Sequence, residues 1–120
     1  MADDKRQKGI ALTRRLFEGA NTGGSGPMPE ALTNYTMEHL FGDVWQQDDL
    51  TVQERSLITC TILVALNRAN EQRVHFVGAK NLGIPRSTIE GMLTHAAHYA
   101  GWPCAATASG VLNEVWPAES

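Results

Sequence analysis

Only two cysteines occur in the 120 residues, Cys60 and Cys104, far apart and in no CxxC spacing. That pattern excludes a dithiol redox pair and a cysteine-built zinc site. Lysine and arginine form no cluster, and the net charge of −3 comes from interspersed signs, so neither nucleic acid nor an anionic membrane surface is an expected partner. No apolar stretch is long enough to span a bilayer, and the opening MADDKRQKG is followed by no hydrophobic region of signal-peptide length. A cytoplasmic protein is expected. Alternating apolar and polar residues never run long enough for a strand pair, which leaves an all-α fold as the expectation. The glycine-rich GANTGGSGPMP, residues 19–29, lacks both the lysine of a phosphate-binding loop and a preceding strand, so a phosphate cradle is excluded there.

What the chain does have is a solid apolar block, LITCTILVAL, directly followed by a polar segment that carries Glu71, Arg73 and His75. The block is too long for an ordinary strand and reads as a helix buried on all sides. A single domain of this length has few elements with which to wrap such a helix, so neighbours from other subunits are expected to help, and the chain is expected to form a homo-oligomer. The segment after the block is the only place where an acid, a base and a titratable imidazole crowd together behind a core, and function is expected there.

About six helices are predicted. Residues 4–18 set Ile10, Leu12, Leu16 and Phe17 among charges, a short amphipathic helix without an obvious partner. Residues 19–29 are a flexible break, so residues 1–28 read as an N-terminal helix with a linker or arm, and residues 29–120 as the main helical domain. Pro29 opens a helix whose stripe of Leu32, Tyr35, Thr36, His39 and Leu40 runs to the Phe41-Gly42 stop. Thr51 and Glu54 form a capping box, which starts the core helix at Val52; its end is expected near Asn67. A helix over 70–82 closes at Gly83, the next runs from Ile84-Pro85 to Gly101, and the last runs from Pro103 to Pro117.

The spaced elements FGDVW, LTVQERSLIT, HFVGAKNLG, Ile89 to Leu93 and YAGWP resemble the carboxymuconolactone decarboxylase family, part of the alkylhydroperoxidase-D-like superfamily, over about residues 40–115. The resemblance implies an all-helical domain that assembles as a homo-oligomer, commonly a hexamer built as a trimer of dimers. It also offers two chemistries. The peroxidase branch uses a CxxC dithiol with a histidine and an upstream glutamate; here the dithiol segment reads Glu71-Gln72-Arg73-Val74 and Ser56 stands where the glutamate would be. Without a resolving thiol a sulfenic acid cannot be trapped, so peroxidase activity is disfavoured. Cys60, inside the apolar block, reads as a buried structural thiol.

Decarboxylation of a γ-carboxylated unsaturated lactone needs no cofactor, because the carbanion left by carbon dioxide spreads onto the lactone carbonyl. The protein must hold carboxylates, stabilise an enolate and return a proton. His75 is the expected proton donor, with Glu71 one turn earlier to orient it or raise its pKa, and with the small Gly78 and Ala79 beside it leaving room for a ligand. Arg55 and Arg73 are candidate holders of substrate carboxylates, and Tyr99 a candidate donor to the enolate. The structural alternatives are a plain helical Glu71–His75 pair, an Arg55 that ties down a helix end, an Arg73 at an interface and a Tyr99 that packs. His95 and His98, at i,i+3, have no third ligand spaced to join them, and no metal is expected. The expected function is a cofactor-free lyase acting on a small carboxylated lactone such as 4-carboxymuconolactone or a related acid of aromatic-compound catabolism. A non-catalytic oligomeric binding protein is the alternative from another class.

Overall fold

The computed structural model describes residues 2–22 and 26–119. Its local order follows the punctuation of the sequence closely. The Thr51 hydroxyl accepts from the Glu54 amide at 3.0 Å while the Glu54 carboxylate accepts from the Thr51 amide at 2.8 Å. With both arms of the capping box made, α3 runs Val52–Ala65. It ends two residues short of Asn67, which takes a positive φ of 57°. α4 spans Ala69–Asn81 and stops at Gly83, whose φ of 82° suits a residue without a Cβ. α5, Arg86–Ala100, starts after Pro85, and α6, Trp102–Val115, carries Pro103 in its first turn. The fold is all-α, and no strand occurs among the described residues.

Two stretches depart from expectation. The helix opened by Pro29 is α-helical only over Glu30–Asn34 (α2); Tyr35–Leu40 widens into a π-helical turn, in which the Phe41 amide reaches back to the Thr36 carbonyl at 3.0 Å. A short 3-10 turn, Val44–Gln46, follows. The widened turn is where α1, Ala2–Leu16, crosses. At Gly9 and Gly42 the two backbones pass so closely that any side chain would collide with the Met37 carbonyl, and at Gly42 with the Lys5 carbonyl as well. Lys5 pairs with Asp43 at 3.2 Å and Arg6 donates to Asn34 at 3.0 Å. The amphipathic N-terminal helix therefore has a partner: it lies on the π turn and on α4, with Leu16 fully buried. The glycine-rich break that follows falls partly on residues 23–25, outside the described residues.

The second departure concerns α3. Its Ser56, Cys60 and Val64 face inward onto α4, α5 and α6, where Phe76, Ile89, Leu93 and Leu112 complete the main core. The opposite face is not covered: Ile58, Ile62 and Leu66 are 44%, 52% and 60% exposed. The expectation of a helix buried on all sides is thus corrected for the single chain. Apolarity all round a helix says that it can be covered on every face, while a six-helix chain supplies cover to one. A second, smaller cluster of Leu16, Phe41, Trp45 and Leu82, with Phe17 and Val52 against it, joins α1 to the start of α3 and the end of α4. The wall between these two clusters is α4.

Candidate functional site

α4 carries three of the five candidate side chains, and its pitch divides them. Glu71, His75, Gly78 and Leu82 share one face, whereas Arg73, two residues before His75, lies roughly 200° round the helix from it. On the first face, His75 is partly buried. Its ring meets the edge of Phe17, from the turn that ends α1, at 5.3 Å between centroids and 87° between planes. Its carbonyl accepts from the Cys60 thiol at 3.4 Å, which ties this turn of α4 to α3. The buried ring nitrogen Nδ1 has no hydrogen-bond partner among the described residues.

Burial holds the His75 imidazole down at about 4, well below its ordinary 6.5; the exposed carboxylate of Glu71 pulls the other way and is outweighed. Glu71 does raise this pKa, as its charge requires, but by less than burial lowers it. At neutral pH the resting imidazole is uncharged, with acceptor and N–H donor capacity together.

Phe17 held against His75 was invisible in the sequence, because the contact joins segments far apart in the chain. No spacing along one helix signals it; the structure shows that Gly78 and Asn81 make it. A methyl group at Gly78 would stand 2.8 Å from Leu16 Cδ1, so a side chain there would have to push the buried Leu16 aside. Asn81 Nδ2 then donates to the carbonyls of Leu16 and Glu18, at 2.9 and 2.8 Å, the two residues that flank Phe17.

On the other edge of α4, Arg73 is already engaged. Its Nε donates to Glu114 of α6 at 2.7 Å and its Nη1 to Asn70 at 2.9 Å. Arg73 and Glu71 line an open groove of about 690 Å³ with Gly19, Asn21, Thr22 and Glu114. With two carboxylates against one guanidinium, this groove is a poor host for an anion.

Arg55 is not on α4 at all. Its guanidinium, 11% exposed, donates to Asp49 at 2.6 Å and to the Gln47 carbonyl at 3.2 Å, bracing the loop before α3. One donor, Nε, is left buried without a partner. Tyr99 is 83% exposed on α5 and stacks against His95 at 4.9 Å, so the chain does not bring it to the His75 face. His98 Nδ1 lies 2.7 Å from the Thr94 carbonyl. Among the described residues no three histidine, cysteine or acidic side chains are grouped to hold a metal. A second groove, about 460 Å³ between α5 and α6, has its charges spent internally, since Arg86 is bound to Glu90, Asn113 and the Trp116 carbonyl.

The cysteines fit the sequence reading. Cys60 is fully buried, and burial pushes its thiol up to about 12, with the neighbouring Ser56 hydroxyl opposing part of that rise. A thiol so placed stays protonated and is no peroxide-reducing nucleophile. Cys104 is likewise free, its sulfur 4.0 Å from the Ala65 carbonyl.

Comparison with known proteins gives this arrangement its context. A family model described as the carboxymuconolactone decarboxylase family matches residues 30–114. A 4-carboxymuconolactone decarboxylase from Acinetobacter baylyi is 31% identical over 83 residues, 69% of this chain and 62% of that protein's length. A nitrosuccinic acid decarboxylase from Metarhizium robertsii is 34% identical over 107 residues, 77% of this chain and 75% of the relative. A yeast protein named peroxisomal protein 2 is 32% identical over 80 residues, which span 28% of its length.

Proposed function

Since this chain belongs to the carboxymuconolactone decarboxylase family, we propose that it is a cofactor-free decarboxylase of small carboxylic acids that carry their own electron sink, with His75 as the proton-transferring group. The observation that carries this reading is the imidazole itself: partly buried, one turn from Glu71, with Nδ1 free of any partner among the described residues. The substrate class follows from chemistry that the relatives' names share. An unsaturated lactone with a γ-carboxylate and an acid with a nitro group beside a carboxylate both lose carbon dioxide to give a carbanion, stabilised in one case on the lactone carbonyl and in the other as a nitronate. Neither needs an external cofactor.

In the proposed step the C–C bond to the carboxylate breaks heterolytically. Carbon dioxide leaves, the electron pair stays on the substrate, and a proton from the cationic imidazole closes the new C–H bond. His75 rests neutral and must therefore take up a proton from solvent as the acid binds. The negative charge of the substrate raises the imidazole pKa at that moment, in the same sense as Glu71 already does. The desolvated environment strengthens this pairing and keeps bulk water from the carbanion. Arg55 and Arg73 are already bound to Asp49 and to Glu114, so either would have to exchange a partner to hold a substrate carboxylate. The reading also includes self-association, which would cover Ile58, Ile62 and Leu66; molar mass in solution tests that part.

Release of carbon dioxide from 4-carboxymuconolactone and from nitrosuccinate, followed with product identification by NMR, tests the function. Turnover of one of these acids is expected, and His75→Ala should lower it by about 10²–10⁴-fold with the fold intact. Undiminished turnover in that variant removes His75 from the mechanism.

A further inference from the structure

Among the described residues, the one aromatic ring on His75 is Phe17, in the turn that ends α1 and ahead of the family-matched residues 30–114. We propose that the end of α1 and the turn after it are a working part of this site: docked through Gly78 and Asn81, they lay Phe17 on His75 as a positioning residue that fixes the imidazole and shields it from water. The proposal rests on the reading of His75 given above, and extends it to a residue that neither the family match nor the sequence motif contains.

Three observations converge on Phe17. The first is how closely its backbone is held. Asn81 spends its side-chain amide on the carbonyls of Leu16 and Glu18, at 2.9 and 2.8 Å, so the chain is clamped immediately before and after the ring. The second is the approach: Leu16 is fully buried, and its side chain occupies the space that a Cβ on Gly78 would take, 2.8 Å from Cδ1. His75 and Gly78, at i and i+3, share a face of α4, so the face that bears the imidazole also receives Leu16, while Asn81, about 120° round from His75, holds the following turn from the flank. The stretch HFVGAKN thus reads as a docking motif as much as a catalytic one. The third is the ring geometry. Phe17 stands edge to face with His75 at 5.3 Å and 87°, and edge to face with Phe41 at 5.7 Å and the same angle, so it is wedged between the imidazole and the second apolar cluster.

The other groups around His75 do not supply this control. Among the described residues Glu71, on the same helix, is the one charged side chain that acts on it, and it favours the cation. From α3 the Cys60 thiol reaches only the backbone carbonyl and is itself neutral. What disfavours charge on the ring is exclusion of water, and on the α1 side that exclusion is made by Phe17.

The test is the titration of His75, followed by NMR on the full-length protein in place of any activity. A decarboxylation assay then adds the functional consequence. Phe17→Ala is expected to raise the His75 midpoint from about 4 by about one unit or more toward 6.5, a tenfold or greater change in proton affinity. Phe17→Tyr should restore the low midpoint, and Asn81→Ala should shift it in the same direction as Phe17→Ala by less. In turnover, Phe17→Ala should lower kcat about tenfold with KM little changed, because the ring places the imidazole and does not bind the acid. A merely structural Phe17 would lower the melting temperature and leave the midpoint where it is; that result in a folded variant overturns the proposal. The wild-type protein decides independently of any variant's folding. Cross-relaxation between the Phe17 and His75 ring protons is expected, and its absence overturns the proposal as well. Because the midpoint and the proton contacts are read without substrate, they stand or fall separately from the decarboxylase reading.

Discussion

The two long edges of α4 carry similar residue types and do opposite things. On one edge, Arg73 sits in solvent with Glu114 and Asn70, its charge satisfied by neighbours that are themselves exposed. On the other, His75 is pressed between α1 and α3, its charge suppressed and its Nδ1 without a partner among the described residues. Arg73 and His75 stand two residues apart, yet of the two only His75 keeps a buried nitrogen without a partner among the described residues. Paired charge at a surface contributes little beyond local order, whereas an unpaired, desolvated imidazole is costly to the fold and is expected where a ligand will use it.

The largest expected contrast between the edges is catalytic. Exchange of His75 for alanine removes the proton-transferring group, whereas Arg73→Ala should change kcat/KM by less than about tenfold, since the guanidinium is bound to Glu114. Steady-state kinetics of the two variants side by side make the comparison, and a collapse in the Arg73 variant would erase the distinction.

Next in size is the pH dependence of stability. The folded imidazole titrates near 4 and the unfolded one near 6.5, so the unfolded chain binds the proton more readily. Stability contributed by the neutral ring is therefore fully present above about 6.5 and is lost as the pH falls to about 4, on the order of 3 kcal/mol in all. Urea titrations across that window should show the loss, and His75→Leu should flatten it.

Close approaches of α1 come third. Gly78→Ala should destabilise by about 1–3 kcal/mol, because Leu16 must shift to admit a methyl group, and Gly9→Ala by more, because the obstacle there is the Met37 backbone. Thermal denaturation ranks the two variants. Thr51→Ala, which removes one arm of the capping box, should cost about 1 kcal/mol. Smallest of all, Glu114→Ala on the solvent edge should cost less than about 1 kcal/mol; a larger loss would mean that the two edges are not so different.

The sequence carried the helix starts and stops because those are written locally. Thr51 with Glu54, Pro85, Pro103, Gly83 and Gly101 each act on amides or carbonyls within a few residues. The π turn at Tyr35–Leu40 was not legible, since a stripe of apolar residues over two turns fits either helical period and the decision lies with the crossing of α1 at Gly9. The cover of α3's outer face was not legible for a related reason: residue type reports how Ile58, Ile62 and Leu66 behave in water, not what covers them. Within the site, Glu71 and His75 on one face followed from helical spacing alone. The engagement of Arg55 by Asp49 and Gln47, the isolation of Tyr99, and the Phe17 ring on His75 all depend on how helices meet, which spacing along one helix does not encode.

The most direct measurement is the titration of His75 by NMR, without a ligand and with a non-reactive carboxylated lactone bound. A midpoint near 4 in the free protein, rising toward neutrality when the anion binds, is the result expected of a desolvated imidazole that takes up its proton from the arrival of substrate. A midpoint already at 6.5 in the free protein, or one that does not move when the anion occupies the site, contradicts it.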